Sequence, residues 1–179
     1  MKRDIKIAIS GKSGCGNTTV SKMIANALNL KFINFTFRSL AEERSVDLKT
    51  IIELAAKDDS VDKEVDARQV QLANESNGCV LASRLAIWML KDADLKVYLN
   101  AAAQTRAARI FKREGGSFEE VVAFTDNRDK KDHERYLRIY GIDFDDYSFA
   151  DIIIETDDLA PQEIANLVVG NIVEKIGGI

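Results

Sequence analysis

The sequence has few of the residues on which several classes of functional site depend. Its 179 residues include one histidine, His133, one proline and two cysteines, Cys15 and Cys79. A single histidine excludes a multi-histidine metal site. The two cysteines form no metal-binding or disulfide pattern and fit a reducing compartment. We therefore expect a cytoplasmic protein.

Long apolar runs and a strong positive charge are also missing. No stretch of about 18 apolar residues occurs, which argues against a membrane-spanning helix. The formal net charge is -4, so overall charge does not favour binding to nucleic acid. The length suits one domain with a full core. We expect a single domain over residues 1–179, monomeric or homodimeric, with no nucleic-acid or membrane partner.

The clearest motif is a phosphate-binding loop near the N-terminus. Residues 10–19 read Ser-Gly-Lys-Ser-Gly-Cys-Gly-Asn-Thr-Thr, and the pattern of such a loop is glycine, four residues, glycine, lysine, then serine or threonine. Gly11, Gly16 and Thr18 have this spacing, whereas Asn17 stands in the lysine position. The candidate nucleotide-binding residues are Gly11, Lys12, Ser13, Gly14, Cys15, Gly16, Asn17, Thr18 and Thr19. Thr18 is also the candidate Mg²⁺ ligand, through its hydroxyl.

Short apolar segments alternate with helical segments along the chain. The strand candidates are residues 4–10, 31–34, 78–82, 95–100 and 150–155. A final helix is predicted to begin at Pro161, because proline is favoured in the first turn. This alternation predicts an α/β fold, with a five-stranded parallel sheet between two helical layers and ligands at the carboxyl ends of the strands.

Two connections are longer than such a sheet needs. Residues 38–77 are helical in character and charged, and residues 104–141 form a second long insertion. The second insertion contains six of the eleven arginines: Arg106, Arg109, Arg113, Arg128, Arg135 and Arg138. Gly115-Gly116 separates two predicted helices there, and Ser117 is expected to start the second with a capping box. Such a pair can close over phosphates, which guanidinium groups bind bidentately; the alternative is a solvated helix pair whose arginines bind nearby acids.

Several further segments occur in a shared order. They are the loop 11–18, Phe37-Arg38, residues 40–44, residues 62–69, residues 84–89, Arg113-Glu114, Arg135-Tyr136 and residues 139–143. In this order they resemble the nucleoside monophosphate kinases, and most closely the archaeal-type cytidylate kinases. The most specific segment is Tyr140-Gly141-Ile142-Asp143, because that family carries a Tyr-Gly-Ile-Asp stretch before its final strand.

The resemblance implies a P-loop kinase fold with a helical acceptor-binding insertion at 38–77 and an arginine-rich lid at 104–141. It implies transfer of the γ-phosphoryl group of ATP to CMP or dCMP, with Mg²⁺. By the resemblance, Arg38 and Arg84 hold the acceptor phosphate. The residues that it places on the acceptor side are Asp66, Arg68 and Gln69, and its lid candidates are Arg113, Arg128 and Arg135. The alternatives are surface ion pairs for Arg38 and Arg84 and a solvated helix position for Asp66.

Two positions depart from the family pattern. Asn17 removes a positive charge at the phosphates, and Ala82-Ser83 stands where relatives have an acidic residue and glycine before Arg84. Lys12 is the candidate replacement for the missing lysine. Three hypotheses follow: an active cytidylate kinase, a P-loop kinase of another small acceptor, or a catalytically impaired nucleotide-binding protein. Asn17 and Ala82 favour the last, whereas the retained lid and acceptor-side residues argue against it.

Overall fold

The computed structural model describes residues 4–177, which form five strands and eight helices. The strands are β1 (Lys6–Gly11), β2 (Lys31–Ile33), β3 (Cys79–Ala82), β4 (Leu95–Asn100) and β5 (Ile152–Glu155). The helices are α1 (Asn17–Leu28), α2 (Phe37–Arg44), α3 (Leu48–Ala55), α4 (Ser60–Asn74), α5 (Ala86–Met89), α6 (Ala103–Glu114), α7 (Phe118–Tyr140) and α8 (Pro161–Lys175). Each strand lies at a predicted position, and α8 begins at Pro161 as predicted.

The five strands form one sheet in the order β2-β3-β1-β4-β5. All neighbouring strands are parallel, and Ile7 of β1 pairs with Val80 of β3 on one side and Leu95 of β4 on the other. The prediction of a five-stranded parallel sheet is therefore confirmed. Because β1 is central, the loop that follows it lies at the middle of the carboxyl edge, where open α/β sheets bind ligands.

Each face of the sheet is covered by its own apolar cluster. Ile7 and Ile9 of β1 pack in a cluster that includes Ile24 of α1 and Val168 of α8. Ala8, between them in β1, belongs to a cluster on the opposite face that includes Ile87 of α5. Alternate residues of a strand point to opposite faces, so the β1 pattern itself requires two covering layers. The three-layer prediction is confirmed.

The first insertion has a small core of its own. Helices α2, α3 and α4 meet through Phe35, Leu40, Ile51, Val61 and Val65, all buried. This cluster is distinct from the two that cover the sheet. The predicted helical insertion is therefore a packed three-helix unit, called the acceptor insertion below after the role that the resemblance implies.

The second insertion consists of α6 and α7, called the lid below after its predicted role. Gly115 and Gly116 join them with positive φ angles of 74° and 95°, which favour glycine. Ser117 precedes α7 as predicted, but the capping-box prediction is wrong because its side chain caps no backbone N–H. Its Oγ donates instead to Glu119 Oε2 at 3.0 Å, so the side chain is already engaged.

Among residues 4–177, every helix is too short or too polar to cross a lipid bilayer.

Candidate functional site

A cleft of about 810 Å³ opens at the carboxyl edge of the sheet. It lies between the loop of residues 11–19, called the phosphate loop below, the acceptor insertion and the lid. Every predicted site residue except Arg68 lines it. The fold thus brings together side chains from segments that are far apart in the sequence.

The phosphate loop has the backbone that its glycines predict. Gly14 has a φ of 86°, and a Cβ atom there would lie 2.7 Å from the carbonyl oxygen of Arg106. Gly16 has a φ of 94° and directly precedes α1. Thr18 and Thr19 are exposed in the first turn of that helix and line the cleft. The N–H groups and the dipole of a helix start attract anions, so this end of the cleft suits phosphate groups.

Asn17 is turned into the fold. Its Nδ2 donates to the carbonyl oxygens of Ile9 at 3.1 Å and Ser83 at 3.4 Å, and its Oδ1 accepts from Ser21 Oγ at 3.0 Å. The amide therefore joins the start of α1 to the ends of β1 and β3. Because its polar atoms are occupied, Asn17 does not take over the electrostatic role of the missing lysine.

Lys12 supplies a cation within the phosphate loop. Its side chain lines the cleft, and its Nζ lies 2.6 Å from Asp145 Oδ1. The hydrogen bond from Lys12 lowers the pKa of Asp145, with a smaller contribution from His133 and against the opposing effect of burial. Asp145 follows the Tyr-Gly-Ile-Asp stretch, so that stretch leads to a loop that holds the Lys12 ammonium beside the cleft.

A buried carboxylate binds two of the arginines that line the cleft. Asp132 of α7 is 6% exposed and binds Arg84 Nε at 3.2 Å and Arg135 Nη2 at 3.0 Å. Arg128 lines the same cleft, and burial, together with the charge of Arg84, lowers its pKa. Two guanidinium groups thus bind one buried acid, and a third lines the same cleft. Confined like charges attract anions, and phosphate oxygens are suited to guanidinium groups.

Two further cleft arginines are exposed. Arg113 is in the last turn of α6, binds Glu114 through Nη2 at 2.5 Å, and has a side chain that is 63% exposed. Arg38 is in the first turn of α2 and makes no hydrogen bond or ion pair with any residue that the structure describes. Both guanidinium groups can therefore bind a ligand without breaking a buried interaction.

The remaining lid arginines have structural partners. Arg106 is buried, binds Asp129 through both Nη atoms, and donates to the carbonyl oxygen of Ser13 at 3.1 Å. It therefore ties both lid helices to the phosphate loop. Arg109 lines the cleft and donates to Thr156 Oγ1 at 3.0 Å. Arg106 therefore follows the alternative given for this insertion, in which its arginines bind nearby acidic residues.

The acceptor insertion presents three polar side chains to the cleft from one face of α4. Asp62, Asp66 and Gln69 are spaced four and three residues apart, which places them on one side of a helix. Asp66 accepts from Tyr140 Oη at 2.6 Å and from Gln69 Nε2 at 3.2 Å. Burial raises the pKa of Asp66, and the hydrogen bond from Tyr140 opposes that rise.

Arg68 is not brought into the cleft. Its Nη2 lies 3.1 Å from Glu43 Oε1 on the outer side of the acceptor insertion. It directly precedes Gln69 in the sequence, and helical geometry turns it away from the face that carries Asp66 and Gln69. The resemblance alone placed it on the acceptor side. We therefore withdraw the acceptor-side assignment of Arg68.

Two buried acids of the site were missed from the sequence. Asp62 is four residues before Asp66, so helical spacing could have shown that they share a face. In the sequence, Asp132 could not be distinguished from the other acidic residues among the lid arginines. No sequence signal pairs it with Arg84, because that ion pair joins β3's end to α7 across the cleft.

The Thr18 hydroxyl stays the candidate ligand for a magnesium ion. The Thr18 side chain is exposed in the cleft, while Ala82 and Ser83 offer no carboxylate at the end of β3. Mg²⁺ often keeps several waters and binds through few protein ligands and substrate phosphates. A separate group of metal-ligating side chains, His133, Asp143 and Asp145, lies nearby. There the Lys12 ammonium already binds Asp145, which makes this group an ion-pair network.

Comparisons with known proteins agree with this geometry. Residues 6–158 match the model of the cytidylate kinase-like family. Cytidylate kinase 2 of Borreliella afzelii (strain PKo) is 48% identical over 168 residues, which cover 92% of this chain and 94% of that protein. The cytidylate kinase of Pyrococcus horikoshii is 40% identical over 169 residues, which cover 93% and 88%.

Solved structures share the fold at low sequence identity. A shikimate kinase from Bacteroides thetaiotaomicron has a TM-score of 0.64 and 19% identity, with 97% of this chain and 98% of that chain covered. A deoxyadenosine kinase from M. mycoides has a TM-score of 0.56 and 14% identity, with 95% and 100% covered. These likenesses confirm the P-loop kinase fold, and the relatives confirm the predicted enzyme class. The chain belongs to the cytidylate kinase-like family of nucleoside monophosphate kinases and is a phosphotransferase.

Proposed function

We propose that this enzyme transfers the γ-phosphoryl group of ATP to CMP or dCMP, giving CDP or dCDP, with Mg²⁺. The observation that carries the proposal is the arrangement of the cleft. One cleft is lined by the phosphate loop, by the polar face of α4 and by Arg84, Arg128 and Arg135. Two nucleotides whose phosphates meet beside these arginines would use the whole cleft.

The donor nucleotide is assigned to the phosphate-loop end. Backbone N–H groups of the loop and the start of α1 would bind its phosphates. Leu159, Pro161 and Ile164 line the same cleft beside Arg109, and apolar side chains of this kind suit a nucleobase. The hydroxyl of Thr18 would hold Mg²⁺, whose chemistry when bound is to neutralise charge on the donor phosphates.

The acceptor nucleotide is assigned to the α4 end, with its phosphate on Arg38 and Arg84. An oxygen of that phosphate forms the new bond to the γ-phosphorus, and the bond from phosphorus to the bridging oxygen of ADP breaks. Such a transfer depends on positioning and charge stabilisation and needs no strong base. The lid arginines and Lys12 would supply the positive charge, and the closed lid would exclude water.

The test is ADP formation from Mg·ATP with CMP, dCMP, UMP, AMP, GMP, shikimate or no acceptor. We expect fast turnover with CMP and dCMP, at rates well above ATP hydrolysis without acceptor, and UMP as a slow acceptor at most. Turnover with another acceptor alone would favour the second sequence hypothesis, a kinase of the same architecture with a different substrate. Binding of ATP without turnover on any acceptor would contradict the proposal.

The lid is expected to close when both nucleotides are bound. A Cβ atom added to Gly115 or Gly116 would meet no neighbouring atom within 4 Å, so this junction can change conformation without repacking, as hinges do. Amide hydrogen exchange over residues 104–141 should slow with ATP plus CMP more than with either nucleotide alone. Residues 168–175 of α8, which do not line the cleft, provide an internal comparison within the same experiment. Equal exchange in the free and doubly bound enzyme would argue against closure.

A further inference from the structure

One buried oxygen at the acceptor end of the cleft has no hydrogen-bond partner. Gln69 is 4% exposed and lines the cleft, yet its Oε1 accepts no hydrogen bond from the part of the chain that the structure describes. Buried polar atoms are nearly always paired, and an unpaired one calls for an explanation. A donor that arrives with the ligand would satisfy this oxygen.

The orientation of the Gln69 amide follows from its neighbour Asp66. The amide nitrogen Nε2 donates to Asp66 Oδ1 at 3.2 Å. The other carboxylate oxygen, Oδ2, accepts from Tyr140 Oη at 2.6 Å. If the amide were flipped, Gln69 Oε1 would face Asp66 Oδ1, and these two oxygens can only accept hydrogen bonds. Asp66 therefore binds the nitrogen of the Gln69 amide and leaves its oxygen, a hydrogen-bond acceptor, without a partner in the part of the chain that the structure describes.

The same face of α4 carries a second acceptor. Asp62 is 6% exposed, lines the cleft, and lies 3.6 Å from Arg135 Nε through Oδ1. Val65 on the same face and Phe37 of α2 also line the cleft and offer apolar contact area. Two acceptors beside apolar side chains suit a planar base that presents a hydrogen-bond donor at its edge.

We propose that Gln69, oriented by Asp66, selects an acceptor base with an exocyclic amine, and so distinguishes cytosine from uracil. This inference rests on the proposed function, since it assigns the base of the same acceptor nucleotide. Cytosine presents an N4 amine where uracil presents the O4 oxygen. The amine donates to Gln69 Oε1, whereas O4 would place two acceptors together. A site built around a hydrogen bond rejects an analogue that leaves its buried group unpaired.

The experiment compares kcat/KM for CMP and UMP in the wild type and three variants, each checked by a thermal melt. In Gln69→Leu we expect kcat/KM for CMP to fall about 10–100-fold, with a change of less than about threefold for UMP, because one buried hydrogen bond is lost. Gln71→Leu is the matched control, because Gln71 is exposed on the same helix and binds Glu75. It should leave both values unchanged.

Asp66→Asn tests the orienting role. If the introduced amide keeps its oxygen on Tyr140, its nitrogen faces Gln69, and the Gln69 amide must flip to accept from it. The flipped Gln69 amide presents a donor to the base, so the CMP-to-UMP ratio of kcat/KM should fall about tenfold or more, with kcat/KM for UMP rising.

The outcomes separate this inference from the proposed function. A wild-type enzyme that does not phosphorylate CMP would overturn the function itself. Turnover of CMP with an unchanged CMP-to-UMP ratio in Gln69→Leu would overturn the role of Gln69 alone. A ratio that shifts in Gln69→Leu but not in Asp66→Asn would overturn the orienting role of Asp66.

Discussion

Replacement of Lys12 by alanine is expected to lower kcat by about 10²–10⁴-fold, on the scale of other groups that stabilise transition-state charge. The phosphate loop lacks its usual lysine, and Asn17 cannot replace it because its amide is bound to Ile9 and Ser83. Lys12 is the lysine that lines the cleft within that loop. Developing charge on the transferred group would therefore depend on its ammonium and on the lid arginines.

Two control variants isolate the charge of Lys12. Asp145→Ala breaks the same ion pair but leaves the ammonium in place, so its kcat should stay at least tenfold above that of Lys12→Ala. Lys57→Ala removes an exposed lysine outside the cleft and should have no effect. Steady-state kinetics with saturating ATP and CMP, together with a thermal melt, measure all three. A loss of less than about threefold in Lys12→Ala would refute the compensating role.

Removal of the Arg84 guanidinium is expected to lower kcat/KM for the acceptor by about 10²–10³-fold, on the scale of other charge-stabilising groups. Arg84 lies in the cleft between the phosphate loop and α4, and Asp132 orients its side chain through Nε. Its remaining nitrogens can then bind the acceptor phosphate in a partly buried site, where an interaction between charges is stronger than in bulk water. Arg84→Ala should therefore raise the KM for CMP more than the KM for ATP.

The effect of Arg84 on binding must be separated from its effect on folding. Arg84→Ala removes one of the ion pairs of buried Asp132 and leaves the one with Arg135, which should cost about 1–3 kcal/mol of stability. Arg84→Lys retains the charge without the planar fork and should be intermediate in kcat/KM. Arg68→Ala is the matched control, because Arg68 binds Glu43 outside the cleft. Equal KM values for CMP in Arg84→Ala and the wild type would refute the assignment.

Much of the candidate site could be predicted because its residues belong to local patterns. The phosphate loop is one continuous segment, so the glycine spacing and the following helix were sufficient to identify it. The pair of arginine-rich helices was predicted in the same way, from arginine content and a Gly-Gly junction. The partners of these side chains could not be predicted. Arg106 and Arg113 have similar sequence surroundings, yet Arg106 binds the carbonyl oxygen of Ser13, whereas Arg113 is exposed beside Glu114.

The sequence by itself determined the α/β architecture, the phosphate loop and the family, since each depends on short-range periodicity or on an ordered set of motifs. Only the tertiary structure decided that Asn17 is a structural amide, that Lys12 is held by Asp145, and that Asp132 orients Arg84. Likewise, Tyr140 and Asp66 are 74 residues apart in the chain but share a hydrogen bond. Such contacts arise when distant segments meet at one edge of a sheet, and no local pattern records which side chains will meet there.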